Sequence, residues 1–303
     1  MVQENRIIVI CGATASGKSE LAIKIAEFLN SEIISADSLA VYKKLDIGTA
    51  KPSKQDRERV KHHLIDCVDE KKSFSVDEYE EQALKIIDEL HAKGKIPIIC
   101  GGTGFYINSV IYNLSYGNVG ASPEIRAKYE KVLQENGKEY LFSLLKRVDE
   151  ESSFKISVND VKRVIRALEI YDLTGKRKSE IIDEKKPRFP YLAFMPNWER
   201  EKLYSRINLR VDEMLKNGLI EEVKSLISSG ITLENQCMQG IGYKETYEAI
   251  KNDDFSMLAD TIKQNTRRYA KRQITFFKRY ENLTYLQEND YNQLLESVEK
   301  WIK

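Results

Sequence analysis

The run from Gly12 to Ser19, Gly-Ala-Thr-Ala-Ser-Gly-Lys-Ser, constrains this chain more than any other stretch. It matches G-x-x-x-x-G-K-[ST] at Gly12, Gly17, Lys18 and Ser19. Its surroundings are those such a loop requires. Ile7 to Ile10 is a short apolar run suited to a buried strand. After the loop, Leu21, Ala22, Ile25, Ala26, Phe28 and Leu29 share one helical face. Strand, glycine loop and helix together predict a phosphate cradle. The glycines let backbone N–H groups close around phosphate oxygens, and the helix N-terminus adds partial positive charge. Lys18 would sit against the terminal phosphates, and the Ser19 hydroxyl would help hold Mg²⁺. The motif asks for a pyrophosphate-like group with a metal, and does not specify ATP.

The first hundred residues alternate strand and helix. "EIISAD" is a second strand, "FSVDEYEEQALKIIDELHAKG" a helix stopped by Gly94, "KIPIIC" a third strand, and "GGTGFYINSVIY" a turn into a helix. Such alternation predicts an α/β fold whose parallel sheet is covered by helices, a P-loop NTPase-like core. Near Tyr116 the pattern changes. A loop leads to a helix start at Ser122-Pro123-Glu124, and "EIRAKYEKVLQENG", "KEYLFSLLKRVD" and "DVKRVIRALEIYDLTG" are all helical. "PYLAFMP" returns to the sheet, and the remaining segments to Tyr280 read as helices. The expected division is a core of residues 1–117 and 190–303 with an inserted all-helical subdomain of residues 118–189. At 303 residues and 42% hydrophobic composition, the chain can form one large domain or two smaller ones.

Asp37 ends the second strand, where open α/β sheets bind ligands. It is a candidate general base or orienter; the plain alternative is an Asp capping the turn at Ser38. Thr49 and Lys51, in "DIGTAKP", could face the same cleft or lie in an ordinary surface loop. Gly101, Gly102 and Thr103 make a second glycine turn at a strand end. The strand before it carries no terminal acid, which argues against a hydrolytic switch or motor and leaves group transfer open.

The net charge of +1 gives no global signature for nucleic acid, so any such surface must be local. From Lys263 to Tyr280 there are seven Lys and Arg and no Asp or Glu, with Tyr269, Phe276, Phe277 and Tyr280 interleaved. This helix is a candidate phosphate-backbone surface. Lys162, Arg163 and Arg166 make a second basic face on the inserted block. A solvated helix face remains the alternative for each. The four cysteines form no C-x-x-C pair, so neither a zinc site nor a disulfide framework is expected. Neither a secretory leader nor a membrane span is expected, which suits a soluble protein of a reducing compartment.

"GATASGKS", "ISADSLAVYKKLDIGTAKP", "GGTGFYI", "NDVKRVIRALEIY", "QGIGYKE" and "TRRYAKRQITFFKR" resemble, in order and spacing, the bacterial tRNA dimethylallyltransferases, also called tRNA isopentenyltransferases. The resemblance spans residues 6 to 280. It implies transfer of a dimethylallyl group from dimethylallyl diphosphate to N6 of the adenine at position 37 of tRNAs reading U-initial codons, with pyrophosphate leaving. It implies a cytoplasmic, monomeric enzyme using Mg²⁺ and engaging the tRNA anticodon stem-loop. Carried over residue by residue, Asp37 is the general base, with Thr103 near the transferred group and Arg210 an arginine brought to the diphosphate. Gly12, Thr14, Ala15, Ser16, Gly17, Lys18 and Ser19 hold the donor, with Ser19 on the metal. Asp37, Ser38, Leu39, Ala40, Arg126, Lys162, Arg163 and Arg166 meet tRNA, joined by Arg268 and Arg272 of the basic helix. Ala13, Ser19 and Ala40 depart from the family's usual Pro, Thr and Gln. No zinc-finger extension like that of eukaryotic relatives is expected. The competing class is a small-molecule or nucleoside kinase, which shares the P-loop, the Asp after the second strand and a helical insert.

Overall fold

The computed structural model describes residues 5–114, 119–181, 186–288 and 290–302. All five residues of the first strand, β1 (Ile7–Cys11), are buried. It feeds the glycine loop and α1 (Lys18–Phe28). β2 (Ile33–Ala36), α2 (Lys54–Arg59), β3 (His62–His63), α3 (Val76–Ala92), β4 (Ile98–Gly101) and α4 (Gly104–Ile111) follow. Next come α5 (Pro123–Val148), α6 (Glu150–Lys155) and α7 (Val161–Thr174). β5 (Tyr191–Asn197) re-enters the sheet before α8 (Arg200–Lys216), α9 (Leu219–Ser228), α10 (Tyr243–Asn252), α11 (Leu258–Phe277), β6 (Leu283–Gln287) and α12 (Tyr291–Ile302). The fold is α/β and P-loop-like, as the alternation predicts.

The strands pair in parallel in the order β3-β2-β4-β1-β5-β6. A parallel sheet covered by helices is buried on both faces, so its strands are apolar throughout rather than alternating. β1, β2 and β4 follow this, with every residue buried and Ser35 of β2 the one polar side chain among them. One main core packs Ile8, Ile10, Ile98 and Phe194 of the sheet against Leu21, Ile25 and Val298 of the helices. Phe28, expected on the buried face of α1, is instead 44% exposed, and Ile23 takes an inward position.

The chain divides into two units, Met1–Ile111 with Pro187–Lys303, and Tyr112–Lys186. These limits fall a few residues N-terminal to the expected 118–189. The smaller unit is helical. Ser122 caps α5 by accepting from the Ile125 N–H, with Pro at the first turn. The break expected between the two helical patterns occurs at Gly137, whose φ of 80° leaves the helical region. Leu141 and Leu145 of α5 pack on Val164 and Leu168 of α7. The loop expected ahead of α5 falls partly outside the described residues.

Candidate active site

The glycine loop is shaped by backbone geometry that few residues accept. Gly12 has φ 136° and Gly17 φ 87°, and Ala15 between them adopts φ 60°. Gly17 is the N-cap of α1, and the first N–H groups of that helix have no intrahelical acceptor. Lys18 lies over the loop with its ammonium donating to the Ala13 carbonyl at 3.3 Å. Desolvation lowers its pKa, and Arg210 nearby pushes the same way. Ser19 is exposed at the mouth of α1. Two residues that the pattern did not single out hold the loop from α8 and the connection between β5 and α8. Trp198 donates to the Ser16 carbonyl at 2.9 Å and Arg206 to the Ala15 carbonyl at 2.8 Å. Arg206 also stacks over the Trp198 ring, 4.4 Å from its centroid.

Asp37 follows β2 directly, two strands from the loop. Its Oδ1 accepts the Leu39 and Ala40 N–H groups at 2.9 and 3.2 Å. The turn-capping role is therefore real and uses one oxygen; among the described residues Oδ2 accepts no hydrogen bond. Ser38 N–H donates to the Thr103 hydroxyl at 3.0 Å, and Thr103 N–H to the Ala36 carbonyl at 3.0 Å. These bonds join the Asp37 turn to the Gly101–Thr103 turn. Gly101 has to be glycine here, because a Cβ would lie 2.1 Å from the Ala36 oxygen. Leu39 packs on Gly240, while Ala40 is buried.

A cleft of about 460 Å³ is lined by Thr14, Lys18, Ser19, Asp37, Arg210 and Arg272 among others. Arg210 is desolvated, which lowers its pKa, and Asp37 partly restores it. Its Nη2 donates to the Thr49 carbonyl at 3.1 Å, but its buried Nε has no hydrogen-bond partner. Two desolvated cations facing one cleft cost free energy unless an anion joins them. The donor set therefore fits a polyanion such as a diphosphate. Among the described residues no cluster of His, Cys, Asp or Glu could hold a metal by itself. A metal here would have to draw on Ser19 and on the oxygens of that anion.

Thr49 and Lys51 both line the cleft, but each is tied down. Lys51 pairs with Asp46 at 2.9 Å and Asp66 at 2.6 Å, its side chain 2% exposed. Their loop is gripped by Glu222, a residue the sequence pattern did not suggest. Its carboxylate accepts the N–H groups of Asp46 and Ile47, each at 2.9 Å, and the Tyr243 hydroxyl at 2.6 Å. Gly48 gives the Tyr243 ring room to approach: a Cβ there would lie 2.5 Å from the ring.

The basic helix is α11. Arg268 and Arg272 are exposed on it, Arg272 lying 5.7 Å from the Tyr269 ring centroid. Lys263 and Arg267, expected on the same surface, bind Asp212 at 2.6 Å and Asn208 at 2.7 Å. In the smaller unit, Lys162 and Arg163 are exposed, with Arg163 paired to Asp160 at 3.2 Å. Arg126 and Arg166 are not simply presented to solvent. Both bind the fully buried Glu169, at 2.9 and 2.6 Å. The two guanidiniums, with the Ser122 N–H, hold the Glu169 carboxyl below its ordinary pKa against the opposing effect of burial.

Residues 40–280 match the family model described as IPP transferase. A tRNA dimethylallyltransferase of Acetivibrio thermocellus is 46% identical, with 99% of this chain and 96% of that protein covered. One from Thermoanaerobacter pseudethanolicus is 44% identical, covering 98% and 96%. Among solved structures, the full-length tRNA isopentenylpyrophosphate transferase of Bacillus halodurans superposes with a TM-score of 0.73 at 37% identity, covering 99% and 96%. A eukaryotic dimethylallyltransferase acting on tRNA gives 0.79 at 30% identity, covering 98% of this chain and 77% of that one.

Proposed function

The chain belongs to the IPP transferase family, and from that premise we propose that it transfers a dimethylallyl group from dimethylallyl diphosphate to N6 of adenine 37 in tRNAs that read U-initial codons. One observation carries the reading. The desolvated cations Lys18 and Arg210 line the same cleft as the Asp37 carboxylate, so an anionic leaving group and a base have separate places in one site.

An adenine stacked in an anticodon loop must be flipped out to reach such a cleft. Asp37 Oδ2 accepts the N6–H, and the proton passes to it as the N6–C1 bond forms. The C1–O bond breaks, and its electron pair leaves with pyrophosphate. Lys18, Arg210 and the α1 N-terminus stabilise that developing charge in a desolvated site, where preorganised cations act most strongly. Mg²⁺ bound to the diphosphate and Ser19 would supply further neutralisation. Thr103 shapes the Asp37 turn from beside the transferred group. Arg268 and Arg272, with Lys162 and Arg163, supply phosphate contacts for the anticodon stem-loop, and Ser38 and Leu39 line the cleft. Arg126 and Arg166 reach RNA only while also holding Glu169. The enzyme acts as a monomer in the cytoplasm. Among the described residues no helix is long and apolar enough to cross a membrane.

The test is to incubate the protein with Mg²⁺, dimethylallyl diphosphate and unmodified tRNA, and to weigh the nucleosides. A dimethylallyl-adenosine is expected. Thermal stabilisation should follow the donor, about 2.7 kcal/mol at a hundredfold excess over its Kd. Strong stabilisation by ATP with phosphate passed to a small acceptor, and no prenylated nucleoside, would overturn the assignment.

A further inference from the structure

Gln273 is among the few polar side chains buried in this protein, 5% exposed on α11. Its two amide atoms do different jobs. Oε1 accepts the Thr14 N–H of the glycine loop at 2.9 Å. Nε2 donates to the Gly102 carbonyl of the turn after β4 at 3.0 Å. One side chain thus bridges the loop that ends β1 and the turn that ends β4. Thr14, expected among the donor-binding residues, spends its amide here.

The chemistry of the bridge is selective. It needs one acceptor and one donor at the same reach. Glutamate at neutral pH has two acceptors and would face the Gly102 carbonyl with the wrong charge. Methionine matches the length and offers neither bond. The turn is shaped around this amide, since a Cβ at Gly102 would lie 2.1 Å from Gln273 Nε2. One helical turn earlier, Tyr269 lines the same cleft. Both glycine turns are therefore held by α11, the helix whose exposed positions include Arg268 and Arg272.

We propose that Gln273 is a positioning residue that fixes the separation between the Thr14–Ser19 loop and the Thr103–Asp37 turn, so that the leaving group and the base face each other across the reacting carbon. The kinetic consequence rests on the prenyl-transfer reading, and the structural one does not. Misplacing reacting groups by about 1 Å can cost roughly a hundredfold in rate.

The experiment compares wild type with Gln273→Met and Gln273→Glu. Single-turnover prenyl transfer, donor Kd in the absence of tRNA, thermal unfolding and hydrogen exchange of the Thr14 amide are read on each. For Gln273→Met the rate should fall about tenfold to a hundredfold. Donor Kd should change less than about threefold, because the loop keeps its own N–H groups. The Thr14 amide should exchange faster. For Gln273→Glu the ratio of variant to wild-type rate should rise as pH falls, because a protonated carboxyl restores one donor beside one acceptor. An unchanged rate in Gln273→Met overturns the proposal, as does a rate loss that merely tracks the unfolded fraction. If wild type makes no prenylated nucleoside, the functional reading has failed. The Thr14 amide then decides alone: equal exchange in wild type and Gln273→Met overturns the bridge, and faster exchange in the variant upholds it.

Discussion

At the scale of single residues, Asp37 caps a turn and is proposed as the base, and substitutions can separate the two. Alanine would remove the acceptor for the Leu39 and Ala40 N–H groups along with the base. Asparagine keeps an Oδ1 acceptor and loses only the proton-accepting carboxylate. Asp37→Asn should therefore cost about 10²–10⁴ in single-turnover rate while donor and tRNA affinities hold. A rate near wild type would assign Asp37 to the turn alone. Lys18→Ala tests the opposite end of the reacting centre. The ammonium is proposed to face the diphosphate both in the bound donor and in the transition state, so its loss should raise donor KM and lower kcat together. Binding of tRNA alone should hardly move. A variant whose ATP affinity falls while its donor affinity does not would contradict the placement of the donor.

At the scale of elements, α11 has a buried face that holds the two glycine turns and an exposed basic face proposed to meet tRNA. Arg268→Ala and Arg272→Ala should each weaken every tRNA and reduce the salt dependence of binding, by about one unit of log–log slope per phosphate contact removed. Donor affinity should not change in Arg268→Ala; Arg272 lines the cleft proposed for the donor, so its variant is read by the salt slope alone. A slope equal to wild type returns these arginines to the role of a solvated face. The helix also shows what sequence can and cannot reveal. Its basic run is local and was legible, as were the glycine loop, the helix of α3 and the Ser122 cap, each written in a few neighbouring residues. Gln273 was not, because its partners stand 259 and 171 residues away in the chain. A signal existed: Ala270, Gln273 and Phe277 share the buried face, and a polar residue there needs partners. Glu222 was hidden for the same reason, its bonds reaching across 176 and 175 residues to Asp46 and Ile47. β3 has only two residues, and β6 exists because β5 offers it an edge. Neither carries a pattern of its own. Lys51 and Arg166 were legible as charges but not as partners already taken.

At the scale of the whole molecule, the far end of the sheet has its own electrostatics. Glu32, entering β2, accepts Lys95 at 2.8 Å and His63 at 2.7 Å, with Lys61 at 3.5 Å. Burial raises its pKa, but hydrogen bonds from Lys95 and His63, with the charge of Lys95 and Lys61, overcome this and hold it down at about 2. The folded state thus binds this proton less readily than the unfolded chain. Its stabilisation is complete above the ordinary value of 4.5 and is lost as pH falls from there toward about 2. Glu32→Gln should cost about 2–3 kcal/mol at neutral pH. The gap in melting temperature between wild type and variant should shrink steadily below pH 4.5. A gap independent of pH would show that the pair contributes through packing alone. The order of the strands has a consequence of another kind. The glycine loop leaves β1, Asp37 leaves β2, and β4 lies between them. Neighbouring strands stand about 4.8 Å apart, so loop and carboxylate are anchored roughly 9–10 Å from one another. The intervening strand is a gauge block. On the proposed reading it leaves a gap for an amine, a migrating carbon and one phosphate in line, and would keep the phosphate itself from meeting the proposed base.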